Sequence, residues 1–188
     1  MSEARSALQG RSFDGIARIE DMGLCGMITL RGDLDDGTLQ KAVTSVAGVD
    51  FPGRRKASLA AGRGLLWMSP DELMVLLPHA DAPGAARTLA AALSGTHHLV
   101  AEVSDARAVL RVSGPAAREV LAKLTPADVS PAAFGPGEIC RTRLAQAAAA
   151  FWMSGEDSLD VVCFRSVAQY VFDLLATAAA PGGEVGHF

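Results

Sequence analysis

The feature that most constrains this chain is an echo within it. Residues 103–124, VSDARAVLRVSGPAAREVLAKL, pass from a strand pattern to a helix pattern across a Gly-Pro joint. Between Arg107 and Ser113, apolar Ala108, Leu110 and Val112 alternate with Arg111 on the other face, the period-2 signature of a half-buried strand. Gly114 breaks that strand. Pro115 stands where a first helical residue belongs, because its fixed φ suits that position and its missing N–H is not needed there. Val120, Leu121 and Leu124 then return at helical spacing. Aligning Gly32 with Gly114 sets residues 27–30 against 109–112 and brings Leu39 onto Leu121. A second echo, Trp67-Met68-Ser69 and Trp152-Met153-Ser154, follows at nearly the same offset, and each copy precedes a polar turn, an apolar strand and a helix. Two anchors in the same order predict an internal duplication of a strand, helix, three strands, helix unit.

The duplicated unit implies an α+β architecture of two similar halves. Residues 13–96 form the first and 97–180 the second, expected to make one compact domain with approximate twofold symmetry. Residues 1–12 and 181–188 are polar or Gly/Pro-rich and expected to be loose. In the first half, strands are predicted at 16–22 and 24–31, with Gly23 between them as a turn or bulge. A helix follows Asp33-Leu34-Asp35, with Leu39, Ala42, Val43 and Val46 on one stripe, aspartates at its positive end and Gly48 as its stop. A Pro/Gly/basic loop over 51–56 leads to strands at 57–61, 64–68 and 72–77. Asp81 before Pro83 starts a second helix whose apolar face is Ala85, Leu89, Ala92 and Leu93, and Ser94-Gly95 ends it. The second half opens with a strand at 99–103. After the central joint, a loop with three prolines spans 125–137 and a strand resumes over 138–147. The last helix opens at Ser166 with Gln169 three residues on, the spacing of a reciprocal capping box, and lines its buried face with Val167, Val171, Leu174 and Leu175.

Composition narrows the classes of function. With 49% hydrophobic and 20% charged residues, the 188-residue chain is an ordinary globular protein. Its net charge of −4 argues against a nucleic-acid partner, which selects for a basic face. Lysine occurs only at Lys41, Lys56 and Lys123, so most of the positive charge is carried by planar guanidinium donors suited to carboxylates or a partner surface. Cys25, Cys140 and Cys163 are an odd number without C-x-x-C spacing, which indicates neither a disulfide framework nor a zinc knuckle and fits a reducing compartment. The opening segment MSEARSALQGRSFDG has no apolar core of a signal peptide. The most apolar window, 145–153, is interrupted by Gln146 and too short to cross a bilayer. A cytoplasmic location away from the membrane is expected.

Catalytic motifs are absent: there is no G-x-S-x-G elbow, Walker loop or dinucleotide glycine fingerprint. His187 lies in the tail, and His79 follows a strand-ending proline. The adjacent pair His97-His98 would face opposite ways on a strand and could not jointly hold a metal. No catalytic residue and no metal ligand is assigned. Gly62 and Gly64 around Arg63 read as a hairpin before a phosphate cradle, and Gly114 as a permitted corner before an anion site. Trp67 and Trp152 read as core packing inherited through the repeat. Arg141 and Arg143, two apart on a strand, project from one face and form the candidate partner interface.

The run Ser104-Asp105-Ala106-Arg107 through Ser113-Gly114-Pro115 to Leu124 resembles the gamma subunit family of heterotetrameric sarcosine oxidase. So do Arg141-Thr142-Arg143-Leu144-Ala145-Gln146 and Phe164-Arg165-Ser166 with Tyr170, and the match extends from about Gly26 to Leu175. More distantly, the same segments are similar to the folate-binding domain of glycine-cleavage aminomethyltransferase. The resemblance implies a duplicated, β-rich fold whose halves exchange their first strands. It also implies membership in a complex that oxidatively demethylates sarcosine to glycine, passing the one-carbon unit to tetrahydrofolate and electrons to oxygen with formation of hydrogen peroxide. FAD, FMN, NAD and tetrahydrofolate are then expected in the partner alpha, beta and delta subunits, and the gamma subunit is structural.

Departures from the aminomethyltransferase pattern point the same way. That family takes a catalytic aspartate from an acidic pair on the strand before the position matching Trp67. Here no Asp or Glu occurs between Asp50 and Asp71, so nothing obvious can orient a folate nitrogen or stabilise an iminium electrostatically. The family's later motif, of the form G-E-D-G-F-E, is retained as Gly155-Glu156-Asp157 but continues Ser158-Leu159-Asp160. Asp160 stands where the pterin-binding glutamate would be, one methylene shorter, and is a weak folate-binding candidate. A non-catalytic assembly subunit is therefore expected. The alternatives are a free-standing folate-binding or aminomethyltransferase-like protein and an interaction module unrelated to one-carbon metabolism.

Overall fold

The computed structural model describes residues 4–186 and 188, and His187 lies outside the described residues. Contacts divide the chain into two units. One is Leu24–Ser104; the other joins the residues up to Gly23 with Asp105–Phe188. The opening segment contributes strands β1 (Ser12–Asp14) and β2 (Arg18–Asp21). There follow β3 (Cys25–Gly32), helix α1 (Gly37–Ala47), β4 (Ala57–Ala60), β5 (Arg63–Ser69), β6 (Glu72–Pro78), α2 (Ala82–Ala92) and β7 (His98–Glu102). The remainder is β8 (Arg107–Ser113), α3 (Ala117–Ala122), β9 (Ile139–Leu144), β10 (Ala147–Gly155), β11 (Ser158–Phe164) and α4 (Ala168–Ala178). From β3 to α2 and again from β8 to α4 the order is strand, helix, three strands, helix, so the duplication is present as an architecture.

In the unit of residues 24–104, an antiparallel sheet runs in the order β4-β5-β6-β3-β7. Alternation places Ile28 and Leu30 of β3, Leu65 of β5 and Leu73, Val75 and Leu77 of β6 on one face, against Leu39 and Val43 of α1 and Leu89 of α2. Burial of each such side chain stabilises by roughly 1.5–3 kcal/mol. Helix α1 starts where Asp36 accepts the Thr38 N–H at 2.7 Å, and it stops where Gly48 turns left-handed at φ 71° and returns its N–H to Thr44 O. The other unit has a six-stranded sheet, β1-β2-β8-β11-β10-β9. Its helix-covered face carries Ile19, Leu110, Val112, Phe151, Leu159 and Val161, packed on Val120 and Leu121 of α3 and Val171, Phe172 and Leu175 of α4.

Strand β2, which precedes β3 in sequence, pairs with β8, whereas β7, which precedes β8, pairs with β3. The two sequence halves thus exchange their first strands, as the resemblance implies. The Gly32–Gly114 anchor is also an equivalence of structure: Gly32 N–H donates to Asp71 O at 3.1 Å and Gly114 N–H to Asp157 O at 2.8 Å, each just before the strand that closes its hairpin.

The Trp-Met-Ser echo is one residue out of structural register. Trp67 pairs with Leu73, but the residue paired with the equivalent Leu159 is Met153, while Trp152 pairs with Asp160. A shift of one residue exchanges faces. Trp67 is half-buried against the helix-side core with the Arg54 guanidinium 6.0 Å from its ring centroid, whereas Trp152 is fully buried on the opposite face of its sheet.

Four local expectations are corrected. Helix α3 begins at Ala117, because Gly114, at φ 110°, opens a turn closed by Ala117 N–H to Gly114 O at 2.9 Å, and Pro115 lies in that turn. The strand expected over 138–147 divides at Ala145-Gln146, where Ala145 adopts φ 48° and Leu144 pairs back to Ala147. The capping box at Ser166 does not form: a 3-10 turn, Arg165–Val167, leads into α4, and the Gln169 amide reaches forward to both Asp173 oxygens at 2.8 Å. The amino-terminal segment contains strand β1 and buries Leu8, with Ser6 Oγ donating to Asp21 at 2.5 Å.

Candidate functional site

The face of the six-stranded sheet opposite its helices carries a row that runs straight across five strands: Glu20, Arg111, Asp160, Trp152, Ile139. Its counterpart in the five-stranded sheet reads Ala101, Thr29, Met74, Leu66, Ala57. The same two central positions hold an ion pair in one copy and Thr29 with Met74 in the other. Asp160 is 7% exposed beside buried Trp152. Its carboxylate accepts Nε and Nη2 of Arg111 at 2.6 and 2.9 Å, a bidentate fork, and Ser154 Oγ at 3.1 Å. Removing two charges from water is costly, and this fork is the geometry that repays it. Asp160, the folate candidate, is therefore already occupied on both oxygens.

Arg141 and Arg143 lie together on β9, both exposed, at the edge of the same sheet. His79 begins a 3-10 turn after β6, and His98 lies in β7 with Nδ1 3.0 Å from Thr96 O while His97 precedes it. Among the described residues no group of three or more His, Cys, Asp or Glu side chains is placed to hold a metal ion. No helix among them is long and apolar enough to cross a membrane. The Cys163 thiol is desolvated in the core and pushed up to about 11, with Arg107 opposing weakly, so it is a protonated, unreactive group at neutral pH.

A second buried acid, Glu119 of α3, holds the carboxyl-terminal segment. Its oxygens accept Val185 N–H at 2.6 Å and Gly186 N–H at 2.9 Å, and these bonds, helped by Lys123 at 3.3 Å, draw its carboxyl below the usual range. Lys123 Nζ also donates to Ala178 O and Gly183 O at 3.0 and 2.6 Å. The segment expected to be loose is thus tied to α3 and α4 through residue 186.

The model of the sarcosine oxidase, gamma subunit family matches residues 31–181. The chain belongs to that family. The sarcosine oxidase subunit gamma of Corynebacterium sp. (strain P-1) is 35% identical over 177 residues, covering 93% of this chain and 85% of its own length. The subunit gamma of an Arthrobacter sp. is 39% identical over 119 residues, 62% of this chain and 58% of that relative. In space the chain superposes with a TM-score of 0.79 on a chain of heterotetrameric sarcosine oxidase from Corynebacterium sp. U-96, solved in complex with pyrrole 2-carboxylate. That match is 27% identical and covers 89% of this chain and 87% of the other. Glycine cleavage system aminomethyltransferase T from Bartonella henselae shares the fold at a TM-score of 0.62 and 17% identity over 86% of this chain and 46% of its own. The resemblance read from residues 104–124, 141–146 and 164–170 is therefore a family relationship, and the folate-binding-domain likeness is one of fold.

Sequence reasoning singled out Asp160 but missed Arg111 as its partner and Glu119 as the tail's anchor. The signals were faint but present: Arg111 was the one charge in an apolar alternation, and Glu119 and Lys123 are four apart on a helix. What could not be seen was the β8–β11 register that sets Arg111 opposite a residue 49 positions away.

Proposed function

We propose that this chain is the gamma subunit of a heterotetrameric sarcosine oxidase and serves there as a non-catalytic assembly subunit. The complex oxidatively demethylates sarcosine to glycine, transfers the one-carbon unit to tetrahydrofolate and forms hydrogen peroxide. FAD, FMN, NAD and tetrahydrofolate bind the alpha, beta and delta partners in the cytoplasm. The observation that carries the non-catalytic reading is the state of the acids. Residues 51–70, which form β4 and β5, contain none, and Asp160 is held bidentately by Arg111 beside Trp152. An acid already neutralised by a fixed guanidinium is poorly placed to bind a pterin or to stabilise charge that develops during a reaction.

The test is co-expression with the other three subunits, followed by affinity purification and a sarcosine-dependent peroxide assay with and without this chain. The chain should co-purify with the flavoprotein subunits, and the isolated chain should show no heat of binding with tetrahydrofolate. Micromolar folate binding by the isolated chain, abolished by Asp160→Ala, would instead establish a folate-binding protein.

A further inference from the structure

Resting on the reading of the chain as a subunit, we propose that the turn over residues 53–56 is a docking site for an acidic segment of a neighbouring subunit, whose carboxylates pair with Arg54 and Arg55.

Charge is the first ground. Residues 51–70 hold Arg54, Arg55, Lys56 and Arg63 and no acid, so this stretch carries +4 in a chain of net charge −4 and the remainder carries −8. Arg63 is paired with Asp81, and Lys56 is engaged within the chain. Arg54 and Arg55 are exposed, and among the described residues neither meets a carboxylate. Asp50, the nearest acid in sequence, lines a cavity beside β4 with Ser58 and Leu59. The duplicated scaffold does not require this charge. In the second copy the same helix-to-strand connection, residues 123–138, carries Asp128, Glu138 and one cation, Lys123. That lysine is spent on Glu119 and the carboxyl-terminal segment.

Geometry is the second ground. The turn is closed by Lys56 N–H to Gly53 O at 3.0 Å and tied to β5 by Trp67 N–H to Lys56 O at 3.1 Å, with Pro52 buried at its root. Its two central positions are Arg54 and Arg55, so both guanidinium groups leave one fixed corner. Arg54 stands 6.0 Å from the ring centroid of half-buried Trp67, and stacking on a ring orients a planar donor without using up its N–H groups. Arg55 occupies φ 59°, a left-handed position that glycine or asparagine fills at lower cost. A costly residue at a turn tip is what a functional contact, rather than folding, calls for. Arginine beside tryptophan is also a pairing typical of the strongest interface contacts. Two forks on a rigid corner suit carboxylates of a protein segment, whereas a nucleic-acid backbone needs a wider basic face than a chain of net charge −4 presents.

The test is capture of this chain by the complete set of co-expressed subunits from nuclease-treated extract. R54E/R55E should weaken capture roughly tenfold or more. K41E/R87E, which changes the net charge equally at two exposed cations of α1 and α2, should stay within about threefold of the wild type. Arg55→Gly relieves the left-handed backbone, so it should melt at or above the wild-type temperature and still weaken capture about threefold or more. That variant keeps the test decisive if the double reversal fails to fold. Association of the unmodified chain should fall as salt rises from about 50 to 500 mM. Capture of R54E/R55E or of Arg55→Gly at wild-type strength, equal weakening by K41E/R87E, or association that nuclease abolishes overturns the docking turn while leaving the subunit assignment standing. Failure of the wild-type chain to join the complex overturns both.

Discussion

Arg111 and Asp160 face each other across β8 and β11, joined at 2.6 and 2.9 Å, at the two positions where the companion sheet has Thr29 and Met74. The duplicated scaffold therefore accommodates either a charged or an uncharged pair at this crossing. Breaking the pair and replacing it are different experiments. Asp160→Asn leaves a guanidinium facing a neutral amide and should destabilise by about 2 kcal/mol, below the range for fully buried pairs because Arg111 keeps 32% of its side chain exposed. The exchange R111T/D160M, copied from the other sheet, should stay within about 1 kcal/mol of the wild type. Urea denaturation of R111T, D160M and R111T/D160M against the wild type closes the double-mutant cycle. Equal losses for the single and double replacements would show that the pair itself is not the source.

The carboxyl-terminal segment should be released by acid. Val185 and Gly186 N–H groups, then Lys123, lower the Glu119 pKa in the folded chain, so the folded state binds that proton less readily than the unfolded one. The contribution of Glu119 is therefore complete above the ordinary carboxylate value, about 4.3, and is lost as pH falls through the lower folded value. Amide exchange at Val185 and Gly186 should accelerate across that window. Glu119→Gln should show fast exchange at neutral pH and lose the acid dependence.

Cys163 should resist thiol reagents at pH 8 in the folded protein and react once it is unfolded. Its folded pKa of about 11 exceeds the unfolded value, so the protonated form is favoured by folding. Its contribution is present in full below about pH 8.5 and declines as pH rises toward 11. Cys163→Ala should lose that alkaline component in a stability–pH profile while costing about 1 kcal/mol in packing.

Helix α1 offers a local test at its two ends. Asp36→Ala removes the side chain that accepts the Thr38 N–H and should cost about 1 kcal/mol. Gly48→Ala forces a Cβ into φ 71° and should cost about 1 kcal/mol as well, with open space around it and no steric clash. Thermal melts of the two single variants and the double variant should give additive losses, since the sites lie at opposite ends of the helix.

Reading by periodicity succeeded where structure is local. The stop at Gly48, the alternation of Arg107–Ser113 and the equivalence of Gly32 with Gly114 each depend on a few neighbouring residues. It failed where the local signal is uniform or misleading. The alanine run around Gln146 hides the hairpin at Ala145, because alternation is hard to see where nearly every residue is a small, apolar alanine. Ser166 and Gln169 have capping-box spacing, but Asp173 on the next turn competes for the Gln169 amide.

The amino-acid sequence alone determined the doubled order of strands and helices, the absence of acids from residues 51–70, and the shared face of Arg141 and Arg143. Those properties follow from side-chain type and spacing along the chain. Tertiary structure alone decided that β2 and β7 change places between the sheets, that Trp67 and Trp152 face opposite ways, and that Asp160 meets Arg111. Strands pair through backbone groups that every residue carries, so alternation reveals which side chains share a face but not which strand lies beside them.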